Sequence, residues 1–221
     1  MSMRLRLLLT VLVLVLGSVG LALPAQASGV VSIAHARTLP LGTVVTVHGT
    51  ATTPSGAFES SFFDRGFGLQ DLTAGIYVSV PTDPDIAPRT RVRVTGTLRE
   101  SFGLLILVPA DPTGVTVYGR GLPVLPTPLR TANVNEASEG RLVVVLGRVT
   151  RPPASDLPYG YKFSVDDGSG ELTIFVNVQT NIDLTGLTTG RLVIVSGFSS
   201  QFDDHYEIDP RFPADILALH G

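Results

Sequence analysis

The chain has 221 residues, with 16 Lys and Arg against 19 Asp and Glu for a formal net charge of −3, and it contains no cysteine. That composition excludes a disulfide framework and the dense positive charge with which many nucleic-acid proteins hold phosphate. The 23 glycines and 16 prolines punctuate short apolar runs, which argues for a barrel or a sandwich.

Residues 1–27 read as a signal peptide. Arg4 and Arg6 form a positive n-region, Leu7 to Leu16 an apolar core, and Ala25-Gln26-Ala27 the small-x-small pattern of a peptidase site. An uncleaved anchor is the alternative, since Leu7 to Leu23 is apolar for nearly a membrane span. Gly17, Ser18, Gly20 and Pro24 weaken such a helix, and the stretch falls short of the ~20 residues a span needs. Cleavage after Ala27 removes Arg4 and Arg6, so the mature chain goes from −3 to −5 and keeps no stable membrane span. The expected location is therefore outside the cytoplasm, secreted or in the periplasm or cell envelope.

The remainder repeats itself. Leu41 to Thr50 returns as Glu139 to Arg148, and Thr90 to Gly96 returns as Arg191 to Gly197. Gly42 and Gly140 lie 98 positions apart, whereas Gly96 and Gly197, like Pro109 and Pro210, lie 101 apart. An offset this steady marks a duplicated unit of domain size.

In the first unit, residues 28–118, Ser32 to Leu39 forms a short helical turn with Ser32 as its cap. Alternating apolar residues then predict strands at 43–52, 67–71, 75–80, 91–99 and 103–108, with an extension at 115–118. A linker follows at 119–130, and Pro123, Pro126 and Pro128 make it a stiff, extended spacer. The second unit, residues 131–221, opens with a turn at 131–138. Its strands are expected at 141–150, 161–166, 171–178, 191–199 and 205–209, extended at 215–219. Five strands with a tight turn between the second and third match the OB barrel, so the fold class is all-β, two tandem five-stranded OB-fold barrels after a signal peptide.

The stretch from Ser32 to Gly49, then Gly68-Leu-Gln-Asp71, Gly75-Ile-Tyr-Val78 and Thr90 to Thr97, resembles the OB-fold modules of exported bacterial proteins. Such modules accompany secreted nucleases and also occur as small periplasmic proteins. The second copy keeps the pattern in Gly140 to Gly147, Ser164 to Gly170 and Gly190 to Gly197. No nuclease segment accompanies them here, so the resemblance implies a binding half standing alone. A shared fold does not by itself carry a shared ligand.

OB folds bind across their second and third strands and the loops beside them. In the first copy that face would present Gln70, Tyr77 and Ser79, with Phe58, Phe62, Phe63 and Arg65 from one loop and Arg99 and Phe102 from the other. Rings beside guanidinium groups suit a single strand of DNA or RNA, whose bases stack while its phosphates meet cations. The plainer reading is that Phe62 and Phe63 plug the barrel mouth. In the second copy the face would carry Lys162, Ser164, Thr173, Phe175 and Asn177, rimmed by Arg151, Tyr159 and Tyr161 and, opposite, by acidic Gln201 to Tyr206. Phe175 is either a ligand ring or a ring packed on the first barrel. Arg91 and Arg93, with Arg89 and Arg99, form the basic cluster of the chain, whose plainer reading is a solvated strand face.

No Gly-x-Ser-x-Gly elbow, phosphate-binding glycine loop or zinc helix is present. His205, Glu207 and Asp209 alternate on one strand and diverge too far to hold a metal, and Asp166 to Gly170 fits a hairpin turn better than a calcium loop. The expectation is a non-enzymatic binding protein without a cofactor that takes single-stranded nucleic acid. Oligosaccharide is a weaker ligand for the same face, and a protein-docking module of the envelope is the rival class.

Overall fold

The computed structural model describes residues 26–60 and 62–219. The expected signal segment up to residue 25 lies outside the described residues, as do Ser61, His220 and Gly221. Two seven-stranded sheets follow one another along the chain.

The first contains β1 (Gln26–Val31), β2 (Val44–Ala51), β3 (Phe67–Gln70), β4 (Gly75–Val78), β5 (Thr90–Ser101), β6 (Leu104–Val108) and β7 (Val115–Arg120). Its order is β1-β2-β3-β4-β6-β5-β7, and a further pairing of β2 with β5 closes strands β2 to β6 into a barrel. The second contains β8 (Thr127–Pro128), β9 (Leu142–Asp156), β10 (Gly160–Asp166), β11 (Leu172–Asn177), β12 (Leu192–Phe202), β13 (His205–Asp209) and β14 (Ile216–Ala218). Its order is the same read in reverse, closed by β12 with β9. In each barrel the third strand meets the fifth in parallel, Tyr77 against Ile106 and Thr173 against Glu207, which is the OB connectivity.

Alternation places one side of each strand inside. Val45, Val47, Leu69, Ile76, Val78, Val92 and Val94 fill the first barrel, and Val143, Val145, Phe163, Val165, Ile174, Val193 and Val195 fill the second. The helical turn α1 (Ile33–Ala36) caps the first core with Ile33 and Ala36, and Ser32 caps its N-terminus as the sequence suggests. Asp71, in the β3–β4 turn, accepts the Ile33 N–H at 2.8 Å and so ties α1 to the barrel. The second copy repeats the device at Thr131 to Asn133. There Asp167 accepts from the Thr131 hydroxyl at 2.9 Å, and the Ser169 hydroxyl, with Thr131, holds the Asp167 carboxyl down to about 2. This turn is the segment read from sequence as a hairpin rather than a calcium loop.

Three features depart from the expected elements. β1 and β8 add parallel to β2 and β9, because each brings a short extended segment past the first barrel strand. The spacer is therefore pinned at its end, where the Leu129 N–H donates to the Val144 carbonyl at 2.9 Å. β9 also runs on to Asp156, past Pro152 and Pro153. The β9–β10 register shifts near these prolines, so no ladder hydrogen bond is asked of them.

Candidate binding surfaces

On the first barrel, the outward positions of β3, β4 and their flanks are Gly66, Gly68, Gln70, Gly75, Tyr77 and Ser79. Three of these six are glycine, so the face is nearly bare of side chains. The second barrel lies directly on it. A Cβ on Gly68 would sit 2.8 Å from Phe198 Cδ2, and one on Gly75 would overlap the Gly140 carbonyl. The Phe198 ring contacts Tyr77 and Phe58 at 5.9 and 6.1 Å between centroids. The Leu142 N–H donates to Gln70 Oε1 at 2.8 Å.

Gln70, Tyr77 and Ser79 do point out of their barrel, as expected, but the expectation that they face solvent is corrected. All three are buried, Tyr77 to 2 % exposure: Phe198 of β12 covers Tyr77, Leu142 of β9 meets Gln70, and Asp64 of the same barrel engages Ser79. The Tyr77 hydroxyl donates to Asp64 Oδ1 at 2.9 Å, and Asp64 also accepts from Ser60 and Ser79. No base can stack on this ring while the barrels are joined.

Polar contacts frame the contact area. Arg37, just after α1, reaches Glu136 at 2.7 Å and Glu139 at 3.0 Å. Burial pushes the Glu139 carboxyl up, against the pull of Arg37 and a hydrogen bond from the Leu105 N–H. Arg211, held by Asp215 at 2.8 Å, donates to the Thr52 carbonyl at 2.7 Å. Asp209 lies at the centre with one carboxylate oxygen unpartnered. Burial first, and the Glu207 charge second, push its carboxyl well above the usual range. It borders a cavity of about 20 Å³ shared with Phe58, Tyr77, Leu104 and Phe198. Another cavity, of about 150 Å³ beside Leu129 and Arg141, is also small against the roughly 300 Å³ of a small-molecule site.

The equivalent face of the second barrel is open. Phe175 on β11 pairs in register with Lys162 on β10, and Thr173 pairs with Ser164. Phe175 is half-buried and Lys162 exposed, whereas Ser164 and Asn177 are buried. Tyr159 and Tyr161 stand at 57 % and 37 % exposure on the β9–β10 hairpin. Phe175 does not pack against the first barrel's aromatic cluster, which takes Phe198 from the second barrel instead. Each cation here already has a partner: Lys162 with Asp156 at 3.4 Å, and Arg151 with Glu171 at 3.0 Å.

The loop residues divide. Phe58 is the ring that fills the junction, while Phe62 and Phe63 are exposed at 52 % and 70 %, so neither plugs the barrel. Arg65 is 3.8 Å from Glu59, and Arg99 is exposed. Phe102, exposed, meets Phe202 of the second barrel at 5.0 Å, where the Asp203 N–H donates to the Phe102 carbonyl at 2.7 Å. The two β-hairpin tips thus form one seam across the barrels. Sequence reasoning missed Phe198 and the Phe102–Phe202 pair. A signal was present at Phe198: the offset of 101 aligns it with Thr97, so the second copy places a large ring where the first has a small polar residue.

No family model and no curated protein matches the chain. Solved structures resemble it in fold. An OBody bound to hen egg-white lysozyme is 22 % identical, matches 44 % of this chain and 99 % of its own, and gives a TM-score of 0.36. A murine DNA-binding protein bound with double-stranded DNA is 12 % identical over 80 % of this chain and 97 % of its own, with a TM-score of 0.39. The hypothetical protein ygiW from E. coli is 16 % identical over 42 % of this chain and 95 % of its own, with a TM-score of 0.32.

Proposed function

We propose that this chain is an exported, non-enzymatic binding protein that takes single-stranded nucleic acid on the open face of its second barrel. One observation carries the reading. Of two equivalent OB faces, one is sealed by Phe198, and the other stays open with Phe175 beside Lys162 and the exposed Tyr159 on the adjoining hairpin. A stacked ring contributes about 1–3 kcal/mol per base and tolerates any sequence. Because Asp156 and Glu171 already neutralise Lys162 and Arg151, this face binds through its rings more than through charge.

The test is fluorescence anisotropy of a labelled single-stranded oligonucleotide with the protein purified from an expressing host. Phe175→Ala and Tyr159→Ala are each expected to weaken binding about tenfold or more. Absence of binding at low salt overturns the reading. It would favour a protein-docking module, for which the exposed Phe102–Phe202 seam is the natural contact.

A further inference from the structure

The first barrel has a second face, away from the junction, where its charge reverses. On β5, Arg91 and Arg93 are exposed between buried Val92 and Val94. Register sets His48 of β2 and Thr116 of β7 on either side of Arg93, and Arg120 of β7 beside Thr90. Arg89 precedes β5 and holds the Gly121 carbonyl at 3.4 Å. His48 and Tyr118 close over the strand with ring centroids 5.8 Å apart, and Tyr118 is 55 % exposed.

Five arginines elsewhere, Arg37, Arg65, Arg130, Arg151 and Arg211, each have a carboxylate within 4.0 Å, whereas Arg141 and Arg148 instead donate to the Thr73 and Gly190 carbonyls and Arg99 is exposed. Among the described residues, Arg89, Arg91, Arg93 and Arg120 have none. In a chain of net charge −3, this is a concentration of uncompensated guanidinium groups. Arg91 and Arg93 recur two residues apart, about 7 Å along the extended strand, and Arg89 sits just before it in a turn with φ 75°. A planar guanidinium matches phosphate oxygens in pairs, and an adjacent exposed tyrosine offers a platform for a base.

We infer that this β2–β5–β7 face binds the phosphodiester backbone of a single-stranded nucleic acid, and that it supplies the charge the OB face of the second barrel lacks. The ligand class rests on the proposed function; the residues and the physical basis are separate. Three phosphate contacts on a single strand give a slope of about −2 in log affinity against log salt. Binding then weakens about 20-fold between roughly 50 and 200 mM salt.

The experiment is a salt series of anisotropy measurements with a labelled oligo-dT 20-mer. It compares the wild-type protein, the triple variant R91Q/R93Q/R120Q and, separately, Phe175→Ala. The triple variant is expected to lose most of the salt dependence and to bind about 20-fold more weakly at 50 mM salt, with an unchanged melting temperature. Phe175→Ala is expected to weaken binding and keep the salt slope. A triple variant that binds with the wild-type slope overturns the inference and leaves the OB-face reading standing. Loss in the triple variant with no effect of Phe175→Ala supports the inference and overturns that reading instead. No oligonucleotide binding, or sedimentation with phosphatidylglycerol vesicles in its place, overturns the inference in favour of a membrane surface.

Discussion

Asp209 shows how one residue couples the junction to pH. Its carboxyl is buried against Tyr77 and Phe198, with Ser200 as its hydrogen-bonding neighbour and the Glu207 carboxylate on the same strand. Burial and the Glu207 charge both raise its pKa. A raised folded-state pKa means that its contribution to stability is fully present below the unfolded value, about 3.9 for Asp, and is lost as pH rises through the folded value. Asp209→Asn keeps the shape and removes the charge. It is expected to stabilise the protein by about 1–3 kcal/mol at neutral pH and by little near pH 4. Thermal unfolding of both proteins across this range is the check, and a melting difference independent of pH would refute the assignment.

At the scale of elements, the short turn α1 does more than cap a core. Asp71 anchors its first N–H, and that anchor sets Arg37 at its end within reach of Glu139 across the junction. Glu139 is almost completely buried, so removing its cation leaves a charge that cannot be solvated. Breaking one side of a buried pair typically costs about 3–5 kcal/mol. Arg37→Met is expected to destabilise on that order, and Arg37→Met with Glu139→Gln by clearly less. A urea-unfolding double-mutant cycle measures this coupling, and additive effects would show that the pair does not act as a unit. The β9–β10 hairpin plays the opposite part. Its prolines fall where the register shifts, and its exposed Tyr159 and Tyr161 bury little of the core, so it can present rings at small cost to stability.

At the scale of the molecule, the barrels form one body because an outward ring of one occupies the glycine-stripped face of the other. Truncating a buried Phe typically costs about 3–5 kcal/mol. Phe198→Thr, which restores the residue found at the corresponding place in the first copy, is expected to cost about that much and to uncouple the barrels. Calorimetry would then show two unfolding transitions where the wild-type protein shows one. A single transition in the variant would mean that the Arg37, Arg211 and Phe102 contacts suffice without Phe198. Uncoupling also re-exposes Tyr77, so the variant offers the first barrel's OB face to ligand.

Much of this architecture was legible in the amino-acid order. Val45, Val47, Val92 and Val94 and their counterparts Val143, Val145, Val193 and Val195 alternate with polar residues, and that period alone assigns them to strands with one side buried. Ser32 marks the start of a turn and Asp166 to Gly170 a hairpin by local hydrogen bonding, which needs no distant partner. What alternation cannot distinguish is an outward position facing water from one facing another barrel. Tyr77 and Phe175 occupy comparable outward places, yet one is sealed and the other open. The difference lies in Gly68 meeting Phe198 and Gly75 meeting Gly140, residues far apart in the chain that come together only when both barrels have formed. The sequence by itself thus determined two OB barrels, since their cores rest on short-range periodicity. The tertiary structure decided which face remains for a ligand, since that depends on shape matching between surfaces distant in the chain.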